Sequence, residues 1–164
     1  MSSKILVIGT NGFLGKHIKG LFEKEKESIF EIQGKSQVDL TREEEIESYL
    51  SQNSIEKIIN CSAFVGGISY GYKFPVEMLV TNTQMTINLY NAASRNGVQH
   101  IVNPISNCAY PGSLEVYKEE NFWEGPPHSS VFYYGLSRRN IVAISSSFQQ
   151  QYSLETSNVV LSNM

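Results

Sequence analysis

The sequence has few of the residues that build disulfide frameworks, metal centres or nucleic-acid surfaces. Its 164 residues include two cysteines and three histidines, and none of them has the spacing of a metal site. Cys61 and Cys108 give no sign of an oxidising compartment. Thirteen basic and sixteen acidic residues leave a net charge of -3, too little positive charge to neutralise a phosphate backbone. We therefore expect no metal and no nucleic-acid partner.

Long apolar runs are also absent. The apolar start at residues 4–8 is too short to cross a membrane, and the glycines that follow it do not suit a secretory signal. We therefore expect a cytoplasmic protein without a membrane partner. The hydrophobic content of 41% over 164 residues suits a single folded domain.

Short apolar runs alternate with segments of helical periodicity. The runs predict strands at residues 4–8, 29–33, 57–61, 100–105 and 157–162, and the periodic segments predict helices at 12–24, 42–52, 75–96 and 132–151. A glycine-rich loop is expected at residues 65–71. This alternation indicates an α/β fold of the Rossmann type, a doubly wound parallel sheet with the predicted strand order 3-2-1-4-5. Ligands of such sheets bind beyond the carboxyl ends of the strands.

The glycine-rich segment GTNGFLG directly follows the first predicted strand and opens the first helix. One glycine permits an unusual turn, a second lets the backbone approach a pyrophosphate, and a third lets the helix pack on the strand. Free N–H groups at the start of the helix attract phosphate. A tight turn without a ligand is the other interpretation. We predict a dinucleotide site that includes Gly9, Asn11, Gly12, Phe13, Leu14 and Gly15.

The end of the second predicted strand bears on the choice of cofactor. An NAD site usually has an acid there that accepts from the ribose 2'-hydroxyl, whereas this chain has the sequence QGK. Lys35 could face a 2'-phosphate, which favours NADP with NAD as the alternative, or it could be an ordinary exposed lysine. Asp39, which precedes Leu40, is predicted either to accept from the adenine amino group or to cap the helix near Arg42.

Three further segments, CSAFVGGISY, ISNCAYPG and YYGLSRR, carry a resemblance to a known family. Their order and spacing resemble the extended short-chain dehydrogenases/reductases, the NAD-dependent epimerase/dehydratase family, and within it the GDP-L-fucose synthase group. The resemblance covers nearly the whole chain. It implies the NAD(P)-binding amino-terminal half of a nucleotide-sugar epimerase/reductase that acts on a keto-deoxy sugar nucleotide, with the carboxyl-terminal substrate domain absent from this chain.

The resemblance also implies a catalytic trio. The family has a serine or threonine, a tyrosine, and a lysine four residues after the tyrosine, and the matching positions here are Ser106, Tyr134 and Arg138. Residues 134 and 138 share one helix face, so a cation there can stabilise a phenolate. Because arginine differs from lysine in shape and reach, an inactive NAD(P)-binding protein is the alternative function. Cys108 matches a cysteine that takes part in epimerisation, and a buried packing role is its alternative.

Further contacts follow from the resemblance alone. It places Ala63, Asn82, Pro104, Ile105 and Asn163 near the cofactor. It places the backbone of Val65, Gly66, Gly67 and Ile68 against the sugar, where a flexible connector is the alternative. Family members commonly pair through the helices predicted at 75–96 and 132–151, so a homodimer is expected. Four apolar residues spread over more than one face of the second helix agree with burial on a partner as well as on the sheet: Ile141, Val142, Ile144 and Phe148.

Overall fold

The computed structural model describes residues 3–162, which form a parallel sheet with α-helices on its faces. The strands are β1 Ile5–Ile8, β2 Phe30–Ile32, β3 Lys57–Asn60, β4 His100–Ser106 and β5 Glu155–Leu161. The helices are α1 Phe13–Lys24, α2 Glu43–Asn53, α3 Ile68–Lys73, α4 Pro75–Arg95 and α5 Phe132–Tyr152. Single 3-10 turns lie at Asn107–Ala109, Glu119–Asn121 and Ser129–Val131. The predicted α/β class and parallel sheet are confirmed.

The order of the strands corrects one part of the prediction. The sheet has the order β2-β1-β3-β4-β5, so β3 pairs with β1 and β4, where the order 3-2-1-4-5 would place it outside β2. A right-handed crossover can run in either direction along a sheet, and the direction decides which face the helix covers. The crossover from β2 returns over β1, and α2 packs beside α4, where Ile46 and Leu89 share the buried core and Glu43 accepts from Asn91 at 2.8 Å.

The main hydrophobic core lies between the sheet and the helices α2, α4 and α5. Strand residues Leu6, Ile58 and Ile101 are completely buried there, together with Ile46 of α2 and Leu89 of α4. Burial of this apolar area is the main stabilisation of the fold. Because the five strands are parallel, their carboxyl ends lie at the same edge of the sheet. Within residues 3–162, none of the helices combines the length and the hydropathy that crossing a membrane requires.

The segment after β3 differs locally from the prediction. The expected loop at residues 65–71 ends early, because α3 begins at Ile68. Gly71 interrupts this helix, and its six residues are too few to show a helical period in the sequence. Pro75 opens α4 as expected, since proline suits the first turn of a helix.

Candidate functional site

The turn between β1 and α1 brings its glycines into close contact. Gly9 has a φ of +85°, a left-handed backbone conformation that is unfavourable for residues other than glycine. A Cβ atom on Gly15 would lie 2.7 Å from the carbonyl carbon of Gly9 and 2.8 Å from Cα of Thr10. The helix therefore packs directly on the end of the strand, as the motif predicted.

The amino end of α1 has no side-chain cap. Gly12 is the residue that precedes the first turn, and the N–H groups of a first turn have no partner within their own helix. Asn11 and Phe13 are exposed, and Leu14 is half-buried. These amides, together with the positive end of the helix dipole, suit an anionic group such as a pyrophosphate.

A cavity of about 580 Å³ lies beside the glycine turn, which is within the usual range for small-molecule sites. Six residues predicted to bind the cofactor line this cofactor cavity: Gly9, Gly12, Lys35, Asp39, Leu40 and Ala63. They come from the ends of β1, β2 and β3 and from the segments that follow them. The fold thus assembles at one edge residues that are more than fifty positions apart in the chain.

Lys35 and Asp39 form an ion pair at the rim of this cavity. The Nζ atom of Lys35, whose side chain is 79% exposed, lies 3.2 Å from Oδ2 of Asp39. Burial raises the pKa of the Asp39 carboxyl, but hydrogen bonds from Thr41 and Lys35 outweigh it, and the pKa lies below its ordinary value. Asp39 bonds the Thr41 amide at 3.0 Å, whereas α2 has Arg42 as its N-cap residue. The predicted capping role of Asp39 is therefore corrected.

A second cavity, of about 270 Å³, is lined by Ser106, Tyr134 and Arg138. Ser106 ends β4, and the other two residues lie one turn apart on α5. Pro104 and Ile105, predicted near the nicotinamide, line this catalytic cavity as well. The structure thus brings the predicted trio together at the same sheet edge as the cofactor cavity.

Arg138 is a buried cation without an acidic partner. It is 4% exposed, its guanidinium carbon lies 5.1 Å from the centroid of the Tyr134 ring, and its Nη2 donates to Oδ1 of Asn82 at 2.5 Å. Among residues 3–162 the ion pairs involve other cations only. Burial lowers the pKa of the Arg138 guanidinium, and Tyr134 opposes this shift. The ordinary value for arginine is so high that the group stays charged.

Asn82 connects Arg138 to the segment after β3. Its side chain is almost fully buried, and its Oδ1 accepts from the N–H of Phe64 at 2.9 Å while its Nδ2 donates to the carbonyl of Phe64 at 2.8 Å. The same Nδ2 also donates to the carbonyl of Met78 at 2.8 Å. Because Arg138 donates to Oδ1, the amide can have only this orientation. Asn82 therefore supports the end of β3, next to Ala63, from α4.

The predicted substrate loop lines a third, smaller cavity. Gly66, Gly67 and Ile68 form one side of this loop cavity of about 70 Å³, and Tyr133 and Tyr134 form part of the other. Val65 is 65% exposed and lies outside this lining. Tyr134 therefore lies between the loop cavity and the catalytic cavity, whereas Tyr133 lines the loop cavity alone.

Cys108 lies next to Ser106 but does not line the catalytic cavity. It is half-buried in the 3-10 turn after β4, its N–H donates to Oγ of Ser106 at 3.3 Å, and its carbonyl oxygen packs against Gly135. Cys108 is absent from the described residues that line the catalytic cavity. Its role in epimerisation stays a prediction. Asn163, predicted near the nicotinamide, lies outside the described residues.

Several residues at this edge were missed by the sequence analysis. Cys61 and Ser62 line both the cofactor cavity and the catalytic cavity, because β3 is the direct neighbour of β1. The correct strand order would have pointed to them. Burial raises the pKa of the Cys61 thiol to about 11, so the thiol is protonated at neutral pH. Glu77 and Thr81 of α4 also line the cofactor cavity, and no local pattern marks them.

Comparison with known proteins agrees with this arrangement. The model of the NAD dependent epimerase/dehydratase family matches residues 5–164. The GDP-L-colitose synthase of Yersinia pseudotuberculosis is 37% identical over 66% of the chain and 35% of its own length. The GDP-L-fucose synthase of Sinorhizobium fredii is 27% identical over 91% of the chain and 48% of its own length. The chain spans about half the length of the curated relatives that it matches over nearly its whole length.

The solved structures include a GDP-L-fucose synthetase from Naegleria fowleri bound to NADP. Its TM-score is 0.86 at 25% identity, and the match covers 97% of this chain and 53% of that one. A UDP-glucose 4-epimerase from Thermus thermophilus in complex with NAD has a TM-score of 0.79 at 20% identity, over 94% of this chain and 53% of that one. The latter likeness shows the fold alone.

Proposed function

Because the chain belongs to the NAD dependent epimerase/dehydratase family, we propose that it is the NAD(P)-binding part of a nucleotide-sugar epimerase/reductase of the GDP-L-fucose synthase kind. One observation carries the proposal. The cavity beside the glycine turn and the cavity lined by Ser106, Tyr134 and Arg138 share Cys61, Ser62 and Ala63 as a common wall. A dinucleotide that extends along this wall would have its two ends in the two cavities.

The residues present fit a dinucleotide. Gly9 and Gly12 line the cofactor cavity without side chains, so a pyrophosphate can approach their backbone, and the uncapped amides of α1 can bind its phosphates. Lys35 would face the 2'-phosphate of NADP, while Pro104 and Ile105 would lie against the nicotinamide. The bound cofactor supplies the hydride. NADP is the cofactor that we propose, with NAD as the alternative.

The chain's own residues would bind and protonate the sugar. The Oγ atom of Ser106 accepts from the Cys108 amide, so its hydrogen is free to donate to a carbonyl oxygen of a keto sugar. The Tyr134 hydroxyl would exchange the proton at that oxygen, and the nearby Arg138 cation stabilises the phenolate that forms. The glycine loop would touch the sugar, and Cys108 would move a proton at carbon during epimerisation.

The observed contacts of Arg138 also favour a second candidate function. Its guanidinium lies over the face of the Tyr134 ring and is bonded to Asn82, so part of its donor capacity is already in use inside the protein. The resemblance implies a lysine at this position, and arginine differs from lysine in shape and reach. An NAD(P)-binding protein without turnover is therefore the alternative proposal.

The cofactor preference can be tested at Lys35. We expect Lys35→Asp to weaken NADPH binding about five- to tenfold, because a carboxylate replaces the proposed phosphate partner at an exposed site, and to change NADH binding less than twofold. Calorimetric titration of both cofactors measures this. Lys118→Asp is the matched control, since Lys118 is exposed and lies outside the lining of the cofactor cavity. Equal losses for NADPH and NADH would show that Lys35 does not contact the 2'-phosphate.

We also propose a homodimer through α4 and α5. These helices pack together, and Asn140 of α5 donates to Oγ1 of Thr83 at 2.9 Å. The four apolar residues of α5 do not form a free face for a partner, because they pack on the chain's own core: Ile141, Val142, Ile144 and Phe148. The support comes instead from α4, which exposes Val76, Val80 and Ile87 at helical spacing, at 70%, 54% and 37%.

Substitution on this α4 stripe tests the dimer. We expect the chain to sediment as a dimer at tens of micromolar and Val80→Glu to shift it to a monomer, because a charge would be buried at the interface. Leu21→Glu on α1 is the control, since Leu21 is 59% exposed on another helix. A monomer before substitution, or an unchanged dimer in Val80→Glu, would contradict the pairing.

A further inference from the structure

The substrate loop has few contacts of its own. Residues 65–68 are all exposed, and Asn82 holds the chain only as far as Phe64. The backbone bonds from Tyr70 and Gly71 to the Gly67 carbonyl, at 2.9 and 3.1 Å, belong to the short helix α3 itself. Two glycines in a row give the loop a large conformational freedom to lose. Some other contact must therefore hold it beside the loop cavity.

Tyr70 of α3 makes that contact. A Cβ atom on Gly66 would lie 2.8 to 2.9 Å from the side chain of Tyr70, so the ring lies flush against the loop backbone. The ring also packs beside Phe64, with centroids 6.0 Å apart, and Phe74, with centroids 4.8 Å apart. The half-buried tyrosine ring thus contacts Phe64 before the loop, Gly66 within it and Phe74 before α4.

The hydroxyl of Tyr70 is held by a residue of the cofactor cavity. It donates to Oε2 of Glu77 at 2.5 Å, and a hydrogen bond to a carboxylate is stronger than one between neutral groups. The hydrogen bond to this carboxylate raises the pKa of Tyr70, and burial of the hydroxyl and the charge of Glu77 raise it less. Glu77 lies in the first turn of α4 and lines the cofactor cavity with Thr81 and Met85. Glu77 therefore belongs to the wall of the cofactor cavity and also bonds Tyr70, which contacts the substrate loop.

We propose that Tyr70 and Glu77 form a positioning pair that holds the glycine loop in place for the sugar and makes its order depend on occupancy of the cofactor cavity. The inference rests on the proposed function for its ligands, but the pair itself is a property of the chain. A dinucleotide that fills the cofactor cavity would restrict Glu77, and through the Tyr70 hydroxyl it would restrict residues 65–68. Cofactor binding would then precede and favour binding of the sugar.

Amide hydrogen exchange over residues 65–71 of this chain tests the pair with and without NADPH. Tyr70→Phe keeps the ring against Gly66 and removes the bond, and we expect exchange there to rise about fivefold, as for a partly exposed bond to a charged group. Glu77→Ala should raise exchange by a similar factor. Glu77→Gln keeps an acceptor oxygen and should change exchange less than twofold. Tyr72→Phe is the control, because Tyr72 lies on the same helix, is 64% exposed and has no side-chain hydrogen bond within the described residues.

The coupling to the cofactor is measured in the same experiment. Saturating NADPH should slow exchange of residues 65–71 about fivefold in the unsubstituted chain and less than twofold in Tyr70→Phe, while the NADPH affinity of that variant stays within about twofold. A purely structural role would leave this protection intact. The pair is refuted if Tyr70→Phe exchanges like the unsubstituted chain. If NADPH does not bind at all, the proposed function fails, while the comparison of the free proteins still decides the pair.

Discussion

Gly15→Ala is expected to destabilise the chain strongly and to weaken cofactor binding. The added Cβ would lie 2.7 Å from the Gly9 carbonyl carbon and 2.8 Å from the Thr10 Cα, and backbone atoms on both sides cannot yield without separating α1 from β1. Overpacking of this kind costs about 3 kcal/mol of unfolding free energy. Because the movement would displace the phosphate-binding amides, we also expect NADPH affinity to fall more than tenfold.

The same helix offers a control for this prediction. A Cβ on Gly20 would have no neighbour within 4 Å, and alanine favours a helix interior over glycine by about 0.5–1 kcal/mol. Gly20→Ala should therefore raise the urea midpoint slightly and leave NADPH binding unchanged. If Gly15→Ala has the midpoint and the affinity of the unsubstituted chain, α1 does not pack on the glycine turn as described.

Tyr134→Phe is expected to lower turnover about a hundredfold, because the phenol is the proposed proton donor at the sugar carbonyl. Since the chain spans about half the length of its relatives, turnover is measured on a polypeptide in which a substrate half follows residue 164. The Tyr134 ring lines the catalytic cavity. The substitution removes only the hydroxyl oxygen, so the ring keeps its packing beside Arg138. NADPH affinity should therefore change less than about twofold.

Tyr133→Phe is the matched control for Tyr134→Phe. Tyr133 is the adjacent residue, is 41% exposed and lines only the loop cavity. Its loss of a hydroxyl should change turnover less than about threefold. The reverse order of the two variants would show that Tyr133 is the donor. No turnover in the unsubstituted polypeptide, with NADPH still bound, would support the inactive binding protein instead.

The sequence determined the elements and the chemistry that depends on neighbours in the chain. Short apolar runs located the five strands of the described residues, and helical periodicity located the four long helices, since burial of one helix face imposes that period. The glycine spacing at residues 9–15 determined the turn, because the positive φ of Gly9 and the close approach of Gly12 and Gly15 to Gly9 are constraints within that segment. The four-residue spacing of Tyr134 and Arg138 likewise placed both on one helix face.

The tertiary structure decided what depends on residues far apart in sequence. A right-handed crossover from β2 can run in either direction, and β3 lies beside β1 in the structure, with α2 and α4 packed in one common core. That choice set Cys61 and Ser62 at the junction of the two cavities. The hydrogen bond between Arg138 and Asn82 joins residues 56 positions apart. Local sequence patterns do not predict such partners, because only the packing of the whole core determines which helices share a face of the sheet.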